Sequence, residues 1–148
     1  MMTLQTPWGR LTFDIGPTGV VRGVIFDGAA GAPLTEPYAR AMRAYLAGQP
    51  IPLELPVDLS AMPEFTRRVL LACRQIPFGT TMSYGELAAL IGQPKAARAV
   101  GQALGRNPIP VIIPCHRVIG CGGSLTGFGG GLEWKRNLLE HEGIVLDR

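Results

Sequence analysis

One cysteine–histidine pair, Cys115–His116, lies inside an apolar, β-prone run from Ile112 to Ile119. A free thiol has a pKa of about 8.5, so it needs a base or a positive charge nearby to act as a nucleophile at neutral pH. His116 is a base of the right type. Adjacent side chains of an extended segment point to opposite faces, however, so contact between the two demands a turn or a bridging water. A buried structural cysteine beside a satisfied histidine is the simpler alternative, and on the pair alone it leads. A metal centre can also be drawn from Cys115, His116, Cys121 and His141. Its spacing fits no common zinc pattern, and no metal is expected.

The rest of the chain must position this pair. Its 148 residues, 47% of them hydrophobic, suit one compact unit or two small ones sharing an interface, without a compositional sign of disorder. No stretch approaches 18 apolar residues, so no membrane partner is expected. Met1–Gln5 lacks the basic and apolar regions of a signal peptide. Cys73, Cys115 and Cys121 form no CxxC pair, which suits free thiols in a reducing, cytoplasmic setting. Residues 1–60 hold four arginines against five acidic residues, a balance of −1. Residues 61–148 hold ten basic against six acidic residues, a balance of +4. The half that carries Cys115 can therefore meet a polyanion. The triple glycine 129–131 lacks a following Lys-Ser/Thr, which argues against a phosphate loop.

Leu11–Ile15 and Val20–Phe26 read as a hairpin about the turn Gly16-Pro17-Thr18-Gly19. Glu36–Leu46 reads as a helix with Tyr38, Met42 and Leu46 on one stripe, followed by a proline-punctuated connector at 50–56. A boundary near Ser60 divides a shortened N-terminal α/β scaffold (1–60) from a C-terminal unit (61–148). The latter begins with an amphipathic helix, Pro63–Cys73, with Phe65, Val69 and Ala72/Cys73 inward.

Ser83 and Glu86 have capping-box spacing, Gly92 sits where a helix stops, and Pro94 suits the first position of a second helix running to Leu104. Two short helices about a tight turn make a helix-turn-helix candidate. The second is mostly Ala and Gly with one long cation, Arg98. That shape suits insertion into a DNA minor groove, or equally close packing against its own core with Arg98 solvated. Asn107-Pro108-Ile109-Pro110 is a rigid loop into the Cys115 run. Leu125–Phe128 reads as a short strand. Leu132–His141 reads as a last helix with Trp134, Leu138 and Leu139 inward.

Ordered fragments across residues 60–145 resemble one family. They include Phe65-Thr66-Arg67-Arg68-Val69-Leu70, Ser83-Tyr84-Gly85-Glu86-Leu87-Ala88, and Pro94-Lys95-Ala96-Ala97-Arg98-Ala99-Val100-Gly101. Asn107-Pro108, Ile113-Pro114-Cys115-His116-Arg117-Val118, Lys135 and His141-Glu142-Gly143 follow in register. The family is that of the O6-alkylguanine-DNA alkyltransferases. The resemblance implies an α+β fold: a small N-terminal antiparallel sheet with a helix, then a mostly helical domain with a helix-turn-helix and a short sheet around Pro-Cys-His-Arg. It implies double-stranded DNA containing O6-alkylguanine as the partner, a monomer, no cofactor, and one irreversible transfer of the alkyl group to Cys115; O4-alkylthymine is a further expected substrate.

By the same resemblance, His116 is the base acting through water, Glu142 orients it, and Asn107 braces the loop before the cysteine. A Glu142→Gln change is then expected to lower Cys115 reactivity and spare the fold. Arg98 fills the stack vacated by a flipped nucleotide, and Tyr84 helps rotate that nucleotide. Ala97 and Pro110 join the contact surface. The backbone N–H of Gly129 points to O6, and the carbonyls of Cys115 and Val118 accept from the exocyclic amine. Phe128 stands where the family commonly has Tyr, so a pocket hydroxyl is lost. Three rivals are a non-catalytic sensor of alkylated bases, a Cys-His-Glu hydrolase, and a metal-binding structural domain.

Overall fold

The computed structural model describes residues 1–120, 125 and 131–146. Four strands form the N-terminal sheet: β1 (Met2–Thr6), β2 (Gly9–Ile15), β3 (Val21–Phe26) and β4 (Ala32–Pro33), in the order β3-β2-β1-β4. The expected β2–β3 hairpin is present, with a bulge at Asp14/Ile15. Strand β1 was not anticipated. It pairs antiparallel to β2 from Met2↔Phe13 to Thr6↔Gly9, while the two-residue β4 adds a parallel edge. The alternation along β2 and β3 buries Leu11, Phe13, Val21 and Val24 on the face covered by helix α1 (Tyr38–Leu46).

Helix α1 starts two residues later than expected, and its buried stripe is Tyr38, Ala39, Met42 and Tyr45. The sequence reading placed Leu46 on this stripe. The shift by one residue is about 100° of helix rotation, and it turns Tyr45 toward Glu142. The connector at 50–56 then crosses to helix α2 (Glu64–Arg74), where Arg74 Nη2 donates to the carbonyls of Leu53 (2.9 Å) and Leu55 (2.5 Å). In α2 the inward residues are Thr66, Val69, Leu70 and Cys73. Phe65 and Ala72 are only half-buried, because the core lies on the 66/69/70/73 side.

Short strand β5 (Met82–Ser83) feeds helix α3 (Tyr84–Leu90). The capping box forms as expected: Glu86 N donates to Ser83 Oγ at 3.0 Å, and Ser83 N to Glu86 Oε1 at 2.9 Å. Gly92 takes φ +81°, the left-handed conformation that ends the helix at little steric cost. Helix α4 (Ala97–Gly105) begins three residues after Pro94, not at it. A turn closed by Ala96 N to Gln93 O (2.9 Å) occupies that stretch and pushes the helix start downstream. Residues 115–117 form a 3₁₀ turn and run into β6 (Val118–Ile119), which pairs parallel to β5 through Met82↔Val118 and Ser83↔Ile119. This small sheet ties the helix-turn-helix to the cysteine segment. Helix α5 (Leu132–His141) closes the fold with Trp134, Lys135, Leu138 and Leu139 buried. The expected strand 125–128 and the residues Cys121, Phe128 and Gly129 fall outside the described positions, except Leu125, which is in no regular element.

Buried side chains on both sides of Ser60 belong to one continuous cluster. Polar links reinforce it: Trp134 Nε1 donates to Asp27 Oδ2 at 2.9 Å, and Val24 N donates to Pro108 O at 2.9 Å.

Candidate active site

The cysteine is held by backbone turns. Asn107 is the organiser: its Nδ2 donates to Ile113 O at 3.0 Å and its Oδ1 accepts from Ile109 N at 2.9 Å. One side chain therefore spans the loop that precedes Cys115. Inside that loop, Val111 is held at φ +73°, an outlier for a β-branched residue, and buried Pro110 bridges to Ile113. Cys115 N donates to Ile113 O at 2.8 Å, and Val118 N caps the 3₁₀ turn on Cys115 O. The run expected to be extended is thus a turn at the residue that matters. This geometry removes the strict opposite-face objection to a Cys115–His116 partnership.

His116 is fully buried, and its Nε2 lies 2.6 Å from Glu142 Oε2. A carboxylate only accepts, so Nε2 carries the proton and Nδ1 is left as a lone-pair acceptor. Nδ1 is buried with no hydrogen-bond partner among the described residues. Burial lowers the pKa of His116, outweighing the pull of Glu142, so the neutral imidazole is favoured. An unpaired basic nitrogen next in sequence to a thiol is the feature a general base needs.

Glu142 follows α5 as its C-terminal cap residue and collects five donors. Besides His116, its oxygens accept from Arg117 Nε (2.7 Å), Arg117 Nη2 (3.1 Å), Gly79 N (3.1 Å) and Tyr45 Oη (2.7 Å). Gly79 sits at φ +80°, the left-handed region suited to glycine, while making this bond. Burial alone would raise the Glu142 carboxyl, but the bonds and charges of His116 and Arg117 prevail and hold it at about 2. Arg117 is itself buried; its Nη1 donates to Ile76 O at 2.6 Å and its guanidinium lies 5.8 Å from the Phe78 ring centroid.

Burial pushes the Cys115 thiol up to about 11, against smaller lowering influences from an Asn107 hydrogen bond and the Lys135 charge. The resting group is therefore a thiol, and its proton must leave as it attacks. Lys135, 1% exposed, donates from Nζ to Val118 O at 2.8 Å and lies 5.9 Å from the Tyr84 ring centroid. Burial brings its pKa down to about 8.

The expected site residues are distributed as follows. Cys115, His116, Glu142 and Asn107 converge. Val118 and Tyr84 join them through Lys135. Ala97 opens α4 half-buried, with Arg98 beside it and exposed on the helix-turn-helix. Lys135, Arg117 and Tyr45 were given no role by sequence reasoning. Lys135 had a usable signal, since a charge beside Trp134 and in step with Leu138 and Leu139 sits on an apolar stripe. Among the described residues, no group of three or more His, Cys, Asp or Glu could hold a metal ion.

The model of the 6-O-methylguanine DNA methyltransferase DNA-binding domain matches residues 64–144, from the first residue of α2 to just past Glu142. The chain belongs to this family. Among methyltransferase relatives, the methylated-DNA–protein-cysteine methyltransferase of Mycolicibacterium paratuberculosis is 54% identical over 99 residues, covering 67% of this chain and 59% of that protein. That of Salmonella typhimurium is 57% identical over 82 residues, covering 55% and 48%. The chain thus spans about three fifths or less of the length of these curated relatives. The crystal structure of Mycobacterium tuberculosis OGT in complex with DNA superposes with a TM-score of 0.85 at 42% identity, covering 95% of this chain and 91% of that one. The methyltransferase fold extends to the O6-methylguanine-DNA methyltransferase of Pyrococcus kodakaraensis, with a TM-score of 0.74 at 22% identity over 96% of this chain and 97% of that one. The α+β architecture of the family, with its small sheet and helix-turn-helix, is therefore the architecture of this chain. No helix among the described residues is long and apolar enough to cross a membrane.

Proposed function

We propose that this protein repairs DNA by direct reversal, moving the alkyl group of O6-alkylguanine onto its own Cys115. The observation that carries this reading is the buried His116 with Nε2 engaged by Glu142 and Nδ1 unpaired, one residue from the cysteine. The sulfur attacks the alkyl carbon, the S–C bond forms, and the C–O6 bond breaks. The thiol proton passes through a water to His116 Nδ1, and a proton is returned to the departing guanine. The imidazolium is stabilised by Glu142 while it lasts, which is the nucleophile–base–orienter arrangement of a triad. The product is a thioether, so each molecule acts once and needs no cofactor. O4-alkylthymine presents the same O–alkyl electrophile and is the second expected substrate. Cys73 and Cys115 are free thiols, which suits action in the cytoplasm.

A base inside a duplex cannot reach a buried sulfur, so the nucleotide must be turned out of the helix. Exposed Arg98 on α4 is the group proposed to occupy the gap, with Ala97 letting the helix approach closely and Tyr84 guiding the nucleotide. Among the described residues, Val118 N donates to the carbonyl of Cys115 and Lys135 Nζ to that of Val118, and a carbonyl oxygen has two lone pairs, so both can also accept from the amine of the base. Gly129 and Phe128 complete the proposed pocket.

Incubation with a duplex containing O6-methylguanine should add one methyl mass to the peptide carrying Cys115. A methyl on Cys73 or Cys121 instead would overturn the mechanism. Tight binding with no mass change would support the sensor alternative. Arg98→Ala should slow transfer from duplex DNA by about ten- to a hundredfold, since flipping costs a few kcal/mol, while reaction with free O6-benzylguanine stays near normal. Equal losses on both substrates would remove Arg98 from flipping.

A further inference from the structure

Tyr45 lies outside the matched region 64–144, in the N-terminal unit, and 97 residues before Glu142. Its side chain is nonetheless buried against the relay. The hydroxyl donates to Glu142 Oε2 at 2.7 Å, the same oxygen that receives His116 Nε2 at 2.6 Å. The ring is fixed independently of that bond: it packs edge-on to Phe78 at 5.8 Å and tilted on His141 at 5.2 Å. The Tyr45 carbonyl also accepts from His141 Nε2 at 2.7 Å, so backbone and side chain of one residue address two consecutive positions at the end of α5. Burial and the neighbouring carboxylate both oppose ionisation of this phenol, so it can only donate to Glu142.

We infer that Tyr45 is a positioning residue of the relay, and that its hydroxyl weakens the hold of Glu142 Oε2 on the His116 proton. Arg117 Nη2 reaches the same oxygen at 3.1 Å, so three donors share its electron density, the two short ones most strongly. Each draws charge from the acceptor and makes it a poorer partner for the others. Without the Tyr45 hydroxyl, Oε2 keeps only His116 and the longer contact from Arg117 Nη2, so it would stabilise the imidazolium more and keep the ring protonated to higher pH. The other charged and titratable groups around His116 are Glu142 and Lys135 on the α5 side, Arg117 and Cys115 on the 3₁₀ turn, and Cys73 on α2, near both Cys115 and Lys135. Arg117 and Lys135 oppose protonation of the ring as Tyr45 does, but Arg117 also neutralises the carboxylate, and Lys135 is engaged at Val118. Tyr45 is the neutral member, and it can lose its hydroxyl without changing any charge. The N-terminal unit thereby contributes a working group to the site as well as packing.

This inference rests on the alkyl-transfer reading, and the experiment separates the two. Tyr45→Phe keeps the ring and its stacking and removes only the donor. The rate of transfer to Cys115 and the NMR resonance of the His116 Nε2–H are measured across pH in the whole protein. Expected is an acid limb of the transfer profile displaced upward by about half to one pH unit, with the alkaline plateau within about twofold of the parent. The Nε2–H resonance should move downfield as the His116–Glu142 bond strengthens. Placing 3-fluorotyrosine at position 45 alone, a stronger donor of nearly the same shape, should displace both in the opposite sense. An unmoved limb and resonance in both variants, or a plateau lowered with no displacement, would mean that Tyr45 only packs and would overturn the inference. Absence of transfer by the parent protein would refute the functional reading instead, while the resonance would still report on Tyr45.

Discussion

Replacing Arg117 by Ala is expected to lower the unfolding free energy by about 3–5 kcal/mol, the penalty for leaving a buried charge without its partner. Domains of this size are stable by about 5–15 kcal/mol in all, so this one truncation removes a large part of the margin. Three bonds are lost at once: two to Glu142, at 2.7 and 3.1 Å, and one to Ile76 O at 2.6 Å. The contact over Phe78 goes with them. Urea unfolding at neutral pH measures the loss. Adding Glu142→Gln to Arg117→Ala should recover part of it, because the carboxylate charge is then gone too. Two losses that simply add would mean that Arg117 and Glu142 do not act as a pair.

Glu142→Gln by itself should reduce the transfer rate by at least about a hundredfold, the low end of what positioned acid–base groups contribute. The sequence alone suggested that this change would leave the fold untouched, and Arg117 reverses that expectation. Without the carboxylate, a buried guanidinium has lost its counter-charge, so the variant should also be less stable at pH 7. Acid titration supplies the check. The Glu142 carboxyl is held at about 2 against an ordinary 4.5, so the native state binds fewer protons than the unfolded chain between these values. Its contribution is complete above about pH 5 and is lost as pH falls toward 2, amounting to about 3 kcal/mol. His116 acts in the same direction below its ordinary 6.5, since the fold favours its neutral form. Unfolding free energies should therefore fall steeply in the parent as pH is lowered from 7 to 3, and less steeply in Glu142→Gln. Parallel curves would show that Glu142 is not the group responsible.

The contrast between these two side chains explains what could be read before the fold was known. Cys115, His116 and the Ser83–Glu86 capping box depend on near neighbours, and their spacing carries the information. So do the inward residues of α5. The relay could be named through the family, but not its surroundings, because Arg117, Gly79 and Tyr45 reach Glu142 across 25, 63 and 97 residues. Nothing local marks a tyrosine at the end of a nine-residue helix as the donor to a carboxylate 97 residues away. The stripe on α1 was misplaced by one residue for the same reason, since periodicity alone cannot choose between Tyr45 and Leu46 when both are apolar enough to be buried. Strand β1 escaped notice because its partner β2, not its own composition, makes it a strand. Pro94 obeyed its local preference for a helix start less than it obeyed the turn around it.

The high resting pKa of Cys115 also bears on how long a molecule lasts before it is needed. A protein that acts once cannot recover from a reaction with the wrong electrophile. With the pKa raised to about 11, the thiolate population at neutral pH is at least about a hundredfold smaller than that of a free thiol. Peroxides and small alkylators, which react with thiolates, therefore find little to attack in the idle protein. On the proposed alkyl-transfer mechanism, burial that looks like an obstacle to catalysis thus gives the protein shelf life, with reactivity released when a lesion fills the pocket and His116 takes the proton.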